Sequence, residues 1–224
     1  GEKDFFAKVF YKMIKQQEEE KARLAYIEVA ESLSQKRKQV AGQLDKAVSG
    51  ELPALKLAQA VFKTEIKKRP ETEWNALGID DVSFLVSTNK GQPLAPIHKV
   101  ASGGELTRFM LALKVNLAGV NSVETLIFDE IDTGVSGATA SRVGDRLAQL
   151  AQGNQVLVIT HSPQVAGYGK SHLKVQKQET ENHTITTVQV LNKTERLEEI
   201  ARLLSGEVIT QKSKEAAAEL LKNN

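Results

Sequence analysis

Two short apolar runs, separated by about the length of one helix, constrain the fold of this chain more than any other feature. ETLIFDE at 124–130 and QVLVITH at 155–161 each end abruptly in polar residues. The segment between them has the apolar spacing of a helix, with Ser136 as its predicted cap and Gly153 after its end. Such runs are typical of strands buried on both faces of a parallel sheet, and their order predicts a βαβ unit.

The composition predicts a globular protein with a sizeable core. Of the 224 residues, 41% are hydrophobic and 26% are charged. There is no cysteine, which excludes disulfides and cysteine-ligated metals. We find no apolar run that could span a membrane and no signal peptide, and we expect no membrane partner. Residues 1–70 carry 15 Lys and Arg against 10 Asp and Glu, so this basic part could lie along DNA or simply face solvent.

The N-terminal part is predicted to be one or two long helices. Residues 4–48 contain no proline and are rich in helix-forming residues. Their apolar residues recur at roughly helical spacing, although the heptad pattern is imperfect. We therefore predict a helical arm or coiled-coil stub over residues 1–50 and a second domain over residues 51–224. The apolar residues concerned are Leu24, Ile27, Leu33, Val40 and Leu44.

The remaining segments complete an α/β prediction. AVFKTEIKK at 60–68 and VSFLVST at 82–88 read as strands. HLKVQKQ and TITTVQVL predict a β-hairpin, and RLEEIARLLSG and QKSKEAAAELLK predict two closing helices. The predicted fold is a parallel sheet with flanking helices and β-hairpins, preceded by the helical arm.

The segment SGGELTR predicts a helix start with an unusual composition. Ser102 and Glu105 have the spacing of a capping box, which by itself indicates only a well-capped helix running to Gly119. A capping box does not require Gly103 and Gly104. Residues without a Cβ let a ligand approach the backbone, and free N–H groups at a helix N-terminus attract phosphate. The segment therefore favours a phosphate site over a plain cap.

Polar side chains follow both predicted parallel strands. Asp129 and Glu130 follow the first strand, and Thr160 and His161 follow the second. Because parallel strands end at the same edge of a sheet, we expect these residues to converge there. One carboxylate could hold Mg²⁺ against a nucleotide while the next orients or deprotonates a water molecule. On these residues alone, an ordinary pair of loop carboxylates and an ordinary loop histidine remain open as alternatives.

Four motifs in a fixed order carry a family resemblance. They are SGGE at 102–105, LIFDE at 126–130, DTGVSG at 132–137 and VLVITH at 156–161. Together they resemble the C-terminal half of an ABC-type ATPase head, of the branch that includes SMC proteins and their DNA-repair relatives. The specific match covers about residues 95–205. It implies a head lobe with a coiled-coil arm, ATP and Mg²⁺ as cofactors, and a bacterial protein that is cytoplasmic and nucleoid-associated.

The resemblance also implies roles for the first motif. SGGEL is similar to the ABC signature, which contacts a nucleotide held by a second head. Ser102 and Gly104 are expected to touch the γ-phosphate, within a nucleotide-binding set that also includes Gly103 and Glu105.

The other motifs imply the remaining site residues. Asp129 resembles the Walker B aspartate, which holds Mg²⁺ through water, and Glu130 resembles the catalytic glutamate that positions the hydrolytic water. Asp132 lies in what resembles the D-loop, which crosses between two heads. His161 resembles the switch histidine that senses the γ-phosphate.

The phosphate loop G-x-x-x-x-G-K-[ST] does not occur in the chain. YGKSHL at 168–173 contains GKS, but the earlier glycine is missing and the segment follows a helical stretch. In the resembled family this loop lies in an N-terminal half, beyond the coiled coil. We therefore expect this chain to be part of a longer protein and to be inactive as an ATPase alone. The expected partners are the N-terminal half of the same head, a second head in a homodimer, and DNA bound with low specificity.

The implied function is ATP-dependent head dimerisation in DNA double-strand break repair and recombination. Two alternatives remain open. The missing phosphate loop favours a non-catalytic dimerisation or docking module derived from such a head. The long arm and the strings TGVSG and THSPQVA disfavour an ABC transporter ATPase. The candidate DNA contacts are Lys36, Arg37, Lys38, Lys63, Lys67, Lys68 and Arg69.

Overall fold

The structure is a computed structural model that describes residues 2–99, 102–117, 125–179 and 183–222. The chain divides into two compact units. The first consists of Gly1–Lys46 and Phe62–Leu85, and the second of Ala47–Val61 and Val86–Asn224.

Helix α1, Glu2–Glu51, confirms the helical prediction for residues 4–48 as one continuous helix. Its sequence has no proline to interrupt it, and Ala, Leu, Glu, Lys and Gln lose little rotamer freedom in a helix. The predicted apolar stripe is largely uncovered, since Leu24 and Val40 are both 57% exposed. Between residues 5 and 48 the buried positions are Ala30, Ser34, Ala41 and Val48.

The first unit contains both predicted early strands. They are β1, Val61–Lys68, and β2, Asp80–Ser87, which are neighbours in one sheet and lie mostly in this unit. The short strand β3, Ala95–Pro96, belongs to the second unit. Asp80 is buried and accepts hydrogen bonds from Ser34 Oγ at 2.8 Å and from Arg37 Nη1 at 3.1 Å. These bonds satisfy a carboxylate that would be costly to bury alone.

The second unit contains the βαβ unit, the hairpin and the closing helices that the sequence predicted. Strands β4 and β5 run parallel, with Phe128 opposite Val158. Strands β6 and β7 form the antiparallel hairpin, with Leu173 opposite Val190. The elements are α2 Gly103–Asn116, β4 Thr125–Phe128, α3 Gly137–Leu150, β5 Gln155–Val158, α4 Pro163–Gly167, β6 Leu173–Glu179, β7 Thr184–Val190, α5 Lys193–Ser205 and α6 Gln211–Lys222.

The prediction that both faces of β4 and β5 are buried is wrong for the described chain. Ile127 and Leu157 lie opposite each other and are 67% and 41% exposed, and Ile159 beyond them is 60% exposed. Phe128, with the opposite orientation, is buried. Because alternate residues of a strand point to opposite faces, one face of this sheet packs on the unit and the other lies open.

Three predicted helix ends have different outcomes. Ser136 occupies the N-cap position of α3, but its hydroxyl makes no capping bond in the described residues. Helix α3 ends at Leu150 with Ala151 as its C-cap, so Gly153 lies in the following turn and not at the helix end. The predicted end of the preceding helix at Gly119 lies outside the described residues. The side chains of Ser, Thr, Asn and Asp can bond to several nearby backbone groups, so the sequence alone does not show which of these residues makes a capping bond.

The closing helices pack against each other through small residues. Ile200, Ala201 and Ala217 are fully buried, with Leu197 and Leu203 packed around them. Helix α5 begins with a complete capping box between Asn192 and Glu195. The spacing N-x-x-E predicts this cap, although the sequence analysis above did not identify it.

An ion-pair cluster joins α5 to the hairpin and makes stability dependent on pH. Glu199, 7% exposed, accepts hydrogen bonds from Arg202 Nε at 3.0 Å and pairs with Lys174 Nζ at 2.6 Å. The hydrogen bond from Arg202 is the main reason that the pKa of Glu199 falls from its ordinary 4.5 to about 2, with Lys174 adding to the effect. The charged carboxylate is therefore strongly favoured in the folded chain.

Acidification is expected to weaken the fold through Glu199. Because the folded pKa lies below the unfolded one, the contribution is complete above about pH 5 and is lost as the pH falls towards 2, by about 2–3 kcal/mol. Urea unfolding between pH 7 and pH 2.5 measures it. Glu199→Gln should be less stable at pH 7 and show a shallower pH dependence, whereas the exposed control Glu219→Gln should follow the wild type. Equal pH dependence in all three proteins would contradict this prediction.

Candidate functional site

The N-terminus of α2 has the geometry of a capped but open helix start. Ser102 is extended, and its Oγ accepts a hydrogen bond from Glu105 N at 3.4 Å, which confirms the predicted cap. The reciprocal bond from the Ser102 N–H to the Glu105 side chain is absent from the described residues. Ser102 and Gly103 are exposed, and the first N–H groups of a helix lack intrahelical partners. This end of the helix can therefore accept an anion.

The two glycines lie close to a neighbouring loop of the same chain, where a Cβ would be crowded. A Cβ on Gly103 would lie 3.1 Å from Glu130 Oε2. A Cβ on Gly104 would lie 3.1 Å from Thr133 Cβ and 3.2 Å from the Glu130 carbonyl oxygen. Neither glycine has a positive φ, so close approach and not backbone freedom explains the pair. The loop after β4 thus lies directly against the start of α2.

Glu130 has a left-handed backbone conformation, which is unfavourable for a residue with a side chain. Its φ is 57°, in the left-handed region that costs a residue with a side chain roughly 1–2 kcal/mol. Its carbonyl accepts from Thr133 N at 3.1 Å, which closes a turn. Strained residues of this kind cluster at functional sites, since strain persists only where the fold over-determines it. The turn directs the Glu130 carboxylate towards Gly103.

Asp129 and Glu130 fit a magnesium-dependent site with few protein ligands. Both side chains are exposed, and the Asp129 carbonyl lies 3.4 Å from Thr107 Oγ1. The described residues contain no cluster of three metal-ligating side chains. Mg²⁺ usually keeps several waters and takes one or two carboxylates together with phosphate oxygens, so an exposed carboxylate at this strand end suits it.

Asp132 connects the ends of the two parallel strands. Its carboxylate is buried and accepts hydrogen bonds from Thr160 Oγ1, from His161 N at 3.3 Å and from Ser162 N at 3.1 Å. The His161 side chain is 84% exposed, with Nδ1 3.7 Å from Asp132 Oδ2. The backbone of His161 is therefore held in place while its ring remains free to meet a ligand.

The burial of Asp132 bears on its predicted D-loop role. A carboxylate that is 3% exposed and occupied by three donors does not reach a second chain. A contact between heads at this loop stays a prediction, and the exposed residues Thr133, Gly134 and Ser136 would have to make it.

The structure thus brings the predicted site residues to one edge of the second unit. The parallel register places the residues after β4 beside those after β5, and Ile159 N donates to the Phe128 carbonyl at 2.9 Å. The start of α2 lies against the first of these loops. The chemical roles of the site residues remain predictions. They are Ser102, Gly103, Gly104, Glu105, Asp129, Glu130, Asp132 and His161.

Two residues of the site were not assigned roles by sequence reasoning. Thr107 Oγ1 donates to the Gly103 carbonyl at 2.8 Å, and Arg108 Nη1 donates to the Thr133 carbonyl at 2.8 Å. Arg108 is 5% exposed, and burial lowers its pKa while the charge of Glu105 opposes that shift. The sequence signal for Arg108 was its position among the apolar residues of the predicted helix, where a charged side chain is unusual.

Comparison with solved structures identifies the class of fold. The chain matches the Smc head domain with a coiled coil and joint from Pyrococcus yayanosii, with a TM-score of 0.55 and 17% identity, over 86% of this chain and 36% of that one. It matches the Smc head domain with an extended coiled coil from Pyrococcus furiosus, with a TM-score of 0.54 and 18% identity, over 87% of this chain and 47% of that one. The fold is therefore that of part of an SMC-type head with coiled coil, which confirms the predicted fold class.

Proteins with similar sequences identify the family within this class of fold. The chain is 50% identical over 196 residues to the DNA repair protein RecN of Rickettsia conorii, 45% identical over 196 residues to that of Vibrio cholerae, and 40% identical over 206 residues to that of Bacillus subtilis. These matches cover 88%, 88% and 86% of this chain and 35%, 35% and 36% of the relatives. No model of a protein family matches the sequence. The chain is thus a homologue of part of RecN and spans about a third of the length of these curated relatives.

Proposed function

We propose that this chain is the C-terminal portion of an SMC-like DNA repair ATPase of the RecN type. It acts in double-strand break repair and recombination through ATP-dependent dimerisation of two heads. The observation that carries this proposal is the convergence of the open start of α2, the strained Glu130 and the exposed His161 at one edge. A structural module has no need for an exposed carboxylate pair and an exposed histidine around an anion-accepting helix end.

The proposed chemistry divides the site into two parts. Asp129 would hold Mg²⁺, which would neutralise phosphate charge, Glu130 would orient the attacking water, and His161 would sense the γ-phosphate of the nucleotide bound to its own head. The second part is the signature surface, which contacts the nucleotide of the opposite head through Ser102 Oγ and the adjacent free N–H groups. Hydrolysis then depends on two heads meeting.

The open face of β4 and β5 supports the N-terminal half of the head as a partner. Ile127, Leu157 and Ile159 form an exposed apolar surface on a sheet that has two strands in the described part of the chain. Two strands are marginal on their own, so a further lobe that covers this face would complete the sheet's burial. We propose that this lobe also supplies the missing phosphate loop.

DNA contact is supported mainly by the charge of the basic side chains. Several of the candidate Lys and Arg side chains form ion pairs within the chain. Arg37 pairs with Asp80, Lys67 with Glu65, Lys68 with Glu31 and Arg69 with Asp81. In the described part of the chain, Lys36, Lys38 and Lys63 make no ion pair, so we propose these three as the contacts available to phosphate. Low sequence specificity follows, because backbone contacts carry no base information.

Two other functions receive less support. A non-catalytic docking module is favoured by the missing phosphate loop alone. A transporter ATPase is disfavoured by the long helix α1 and by the strings TGVSG and THSPQVA. Among the described residues, no helix is long and apolar enough to cross a membrane. The similarity to bacterial DNA repair proteins supports our proposal that the protein acts in the bacterial cytoplasm, in association with the nucleoid.

The proposed division of the site predicts that this chain alone has no measurable ATPase activity. Mixing it with the N-terminal half of the same protein should restore turnover, because that half supplies the nucleotide anchor. Phosphate release with and without the second half measures this, and Glu130→Gln in the mixture controls for contaminating ATPases. Turnover by the isolated chain at ordinary enzyme rates of about 1 s⁻¹ or more would refute the scheme. Nucleotide binding by the mixture without turnover would favour the docking module.

A further inference from the structure

Arg108 is a buried cation at the centre of the candidate site. It lies on the second turn of α2, and its side chain turns inward beneath the signature segment, where the residue is 5% exposed. No other arginine or lysine among the described residues is buried to this extent. A guanidinium stays protonated in proteins, so this position carries a charge inside the fold.

Arg108 makes few hydrogen bonds for a buried arginine, so packing alone does not explain it. Nη1 donates to the Thr133 carbonyl at 2.8 Å, but the buried Nε has no hydrogen-bond partner in the described residues. Among the residues that the structure describes, no carboxylate is hydrogen-bonded to the guanidinium, although Glu105 is close enough to favour its charge. Burying a charge with so few partners is costly, and an apolar side chain of similar volume would avoid that cost.

The one bond that Arg108 makes reaches the turn that carries Glu130. Thr133 N donates to the Glu130 carbonyl at 3.1 Å, and Arg108 binds the carbonyl at the other end of the same turn. Arg108 Nη1 also lies 3.2 Å from the position of a Cβ on Gly104, so the side chain fills the space between α2 and this turn. Glu130, with its φ of 57°, depends on such external support.

We propose that Arg108 is a positioning residue for Glu130. Its bond to the Thr133 carbonyl holds the turn that keeps Glu130 left-handed and its carboxylate against Gly103. This inference deepens the proposed function and rests on it, since orientation of Glu130 matters only if Glu130 orients a water molecule. According to this proposal, Arg108 affects the rate of ATP cleavage and not the affinity for the nucleotide.

The test uses the full-length protein and separates cleavage from binding. Arg108→Gln should slow single-turnover ATP cleavage about 100-fold while the dissociation constant for ATP changes less than about threefold. Arg108→Lys should recover about tenfold of that loss, since its ammonium can still donate to the Thr133 carbonyl. Arg142→Gln, on the exposed side of α3, is the matched control and should cleave like the wild type. Thermal melting of each variant reports whether it folds.

A double-mutant cycle distinguishes positioning from a structural role. If Arg108 acts through Glu130, then Arg108→Gln added to Glu130→Gln should cause little further slowing. Independent slowing in the double variant, cleavage at the wild-type rate in Arg108→Gln, or parallel loss of binding and cleavage would each overturn the inference. Should Arg108→Gln fail to fold, Arg108→Lys decides alone, and normal cleavage by it would also count against the proposal.

Failure of the proposed function has a different signature. A folded full-length wild type that cleaves no ATP would overturn both proposals. A wild type that cleaves ATP, together with a Glu130→Gln variant that does not, would support the proposed function. The Arg108 variants would then test only the positioning role of Arg108.

Discussion

Glu130→Gln in the full-length protein is expected to leave ATP bound but uncleaved. Glutamine keeps the size of the side chain beside Gly103, so the hydrogen bond from Thr133 N to the residue 130 carbonyl at 3.1 Å, which closes the turn, should survive. The amide, however, neither accepts a proton nor orients a water molecule as a carboxylate does. Loss of a positioned base costs about 10²–10⁴-fold in rate, so single-turnover cleavage should fall by at least about 100-fold.

The same variant should accumulate the dimeric state. If hydrolysis opens the heads, uncleaved ATP keeps them together, and size-exclusion chromatography with light scattering should show a persistent dimer in ATP and Mg²⁺. Glu219→Gln, at an exposed position of α6, is the matched control and should cycle like the wild type. Free turnover by Glu130→Gln would remove Glu130 from its proposed role.

Ser102→Arg is expected to abolish nucleotide-driven dimerisation of the full-length protein. Ser102 is exposed at the open start of α2, where the γ-phosphate of the opposite head is proposed to bind. A long arginine side chain at this surface would occupy the space of the incoming phosphate and prevent close contact of the two heads. Steady-state ATPase should then fall about 100-fold or more, because the hydrolytic site is complete only between heads.

The design separates a blocked surface from a damaged helix. Replacement of Ser102 also removes the cap that accepts from Glu105 N, a loss of about 1 kcal/mol. Ser102→Ala removes the cap without adding bulk and should dimerise measurably better than Ser102→Arg. Binding of ATP by the individual head should stay within about threefold of wild type in both variants. An unchanged dimer in Ser102→Arg would contradict the two-headed scheme.

The outcome at the site shows where sequence reasoning succeeded. The motif order and the apolar runs correctly predicted that residues after β4 and β5 share one edge, because parallel pairing brings their carboxyl ends together. The Ser102 cap was also readable, since its partner Glu105 N is three residues away. Both conclusions depend on local patterns and on one general rule of sheet topology.

Where contacts cross between distant segments, the sequence was silent or misleading. The carboxylate of Asp132 is buried on Thr160, His161 and Ser162, contacts that no local pattern in the sequence indicates, and the role of its loop between heads stays a prediction. Ile127 was expected to be buried and is 67% exposed, because a continuous apolar run does not reveal whether its second cover belongs to the same part of the chain.

The sequence by itself determined the long helix, the βαβ unit and the hairpin, and it supplied the candidate site residues, since these follow from helical and strand periodicity and from motif spacing. Only the tertiary structure decided that Gly103 and Gly104 make room for the Glu130 loop, that Glu130 is left-handed, and that Arg108 is buried on Thr133. Those features arise from packing between α2 and a loop more than twenty residues away, and contacts over such a distance leave no periodic pattern in the chain.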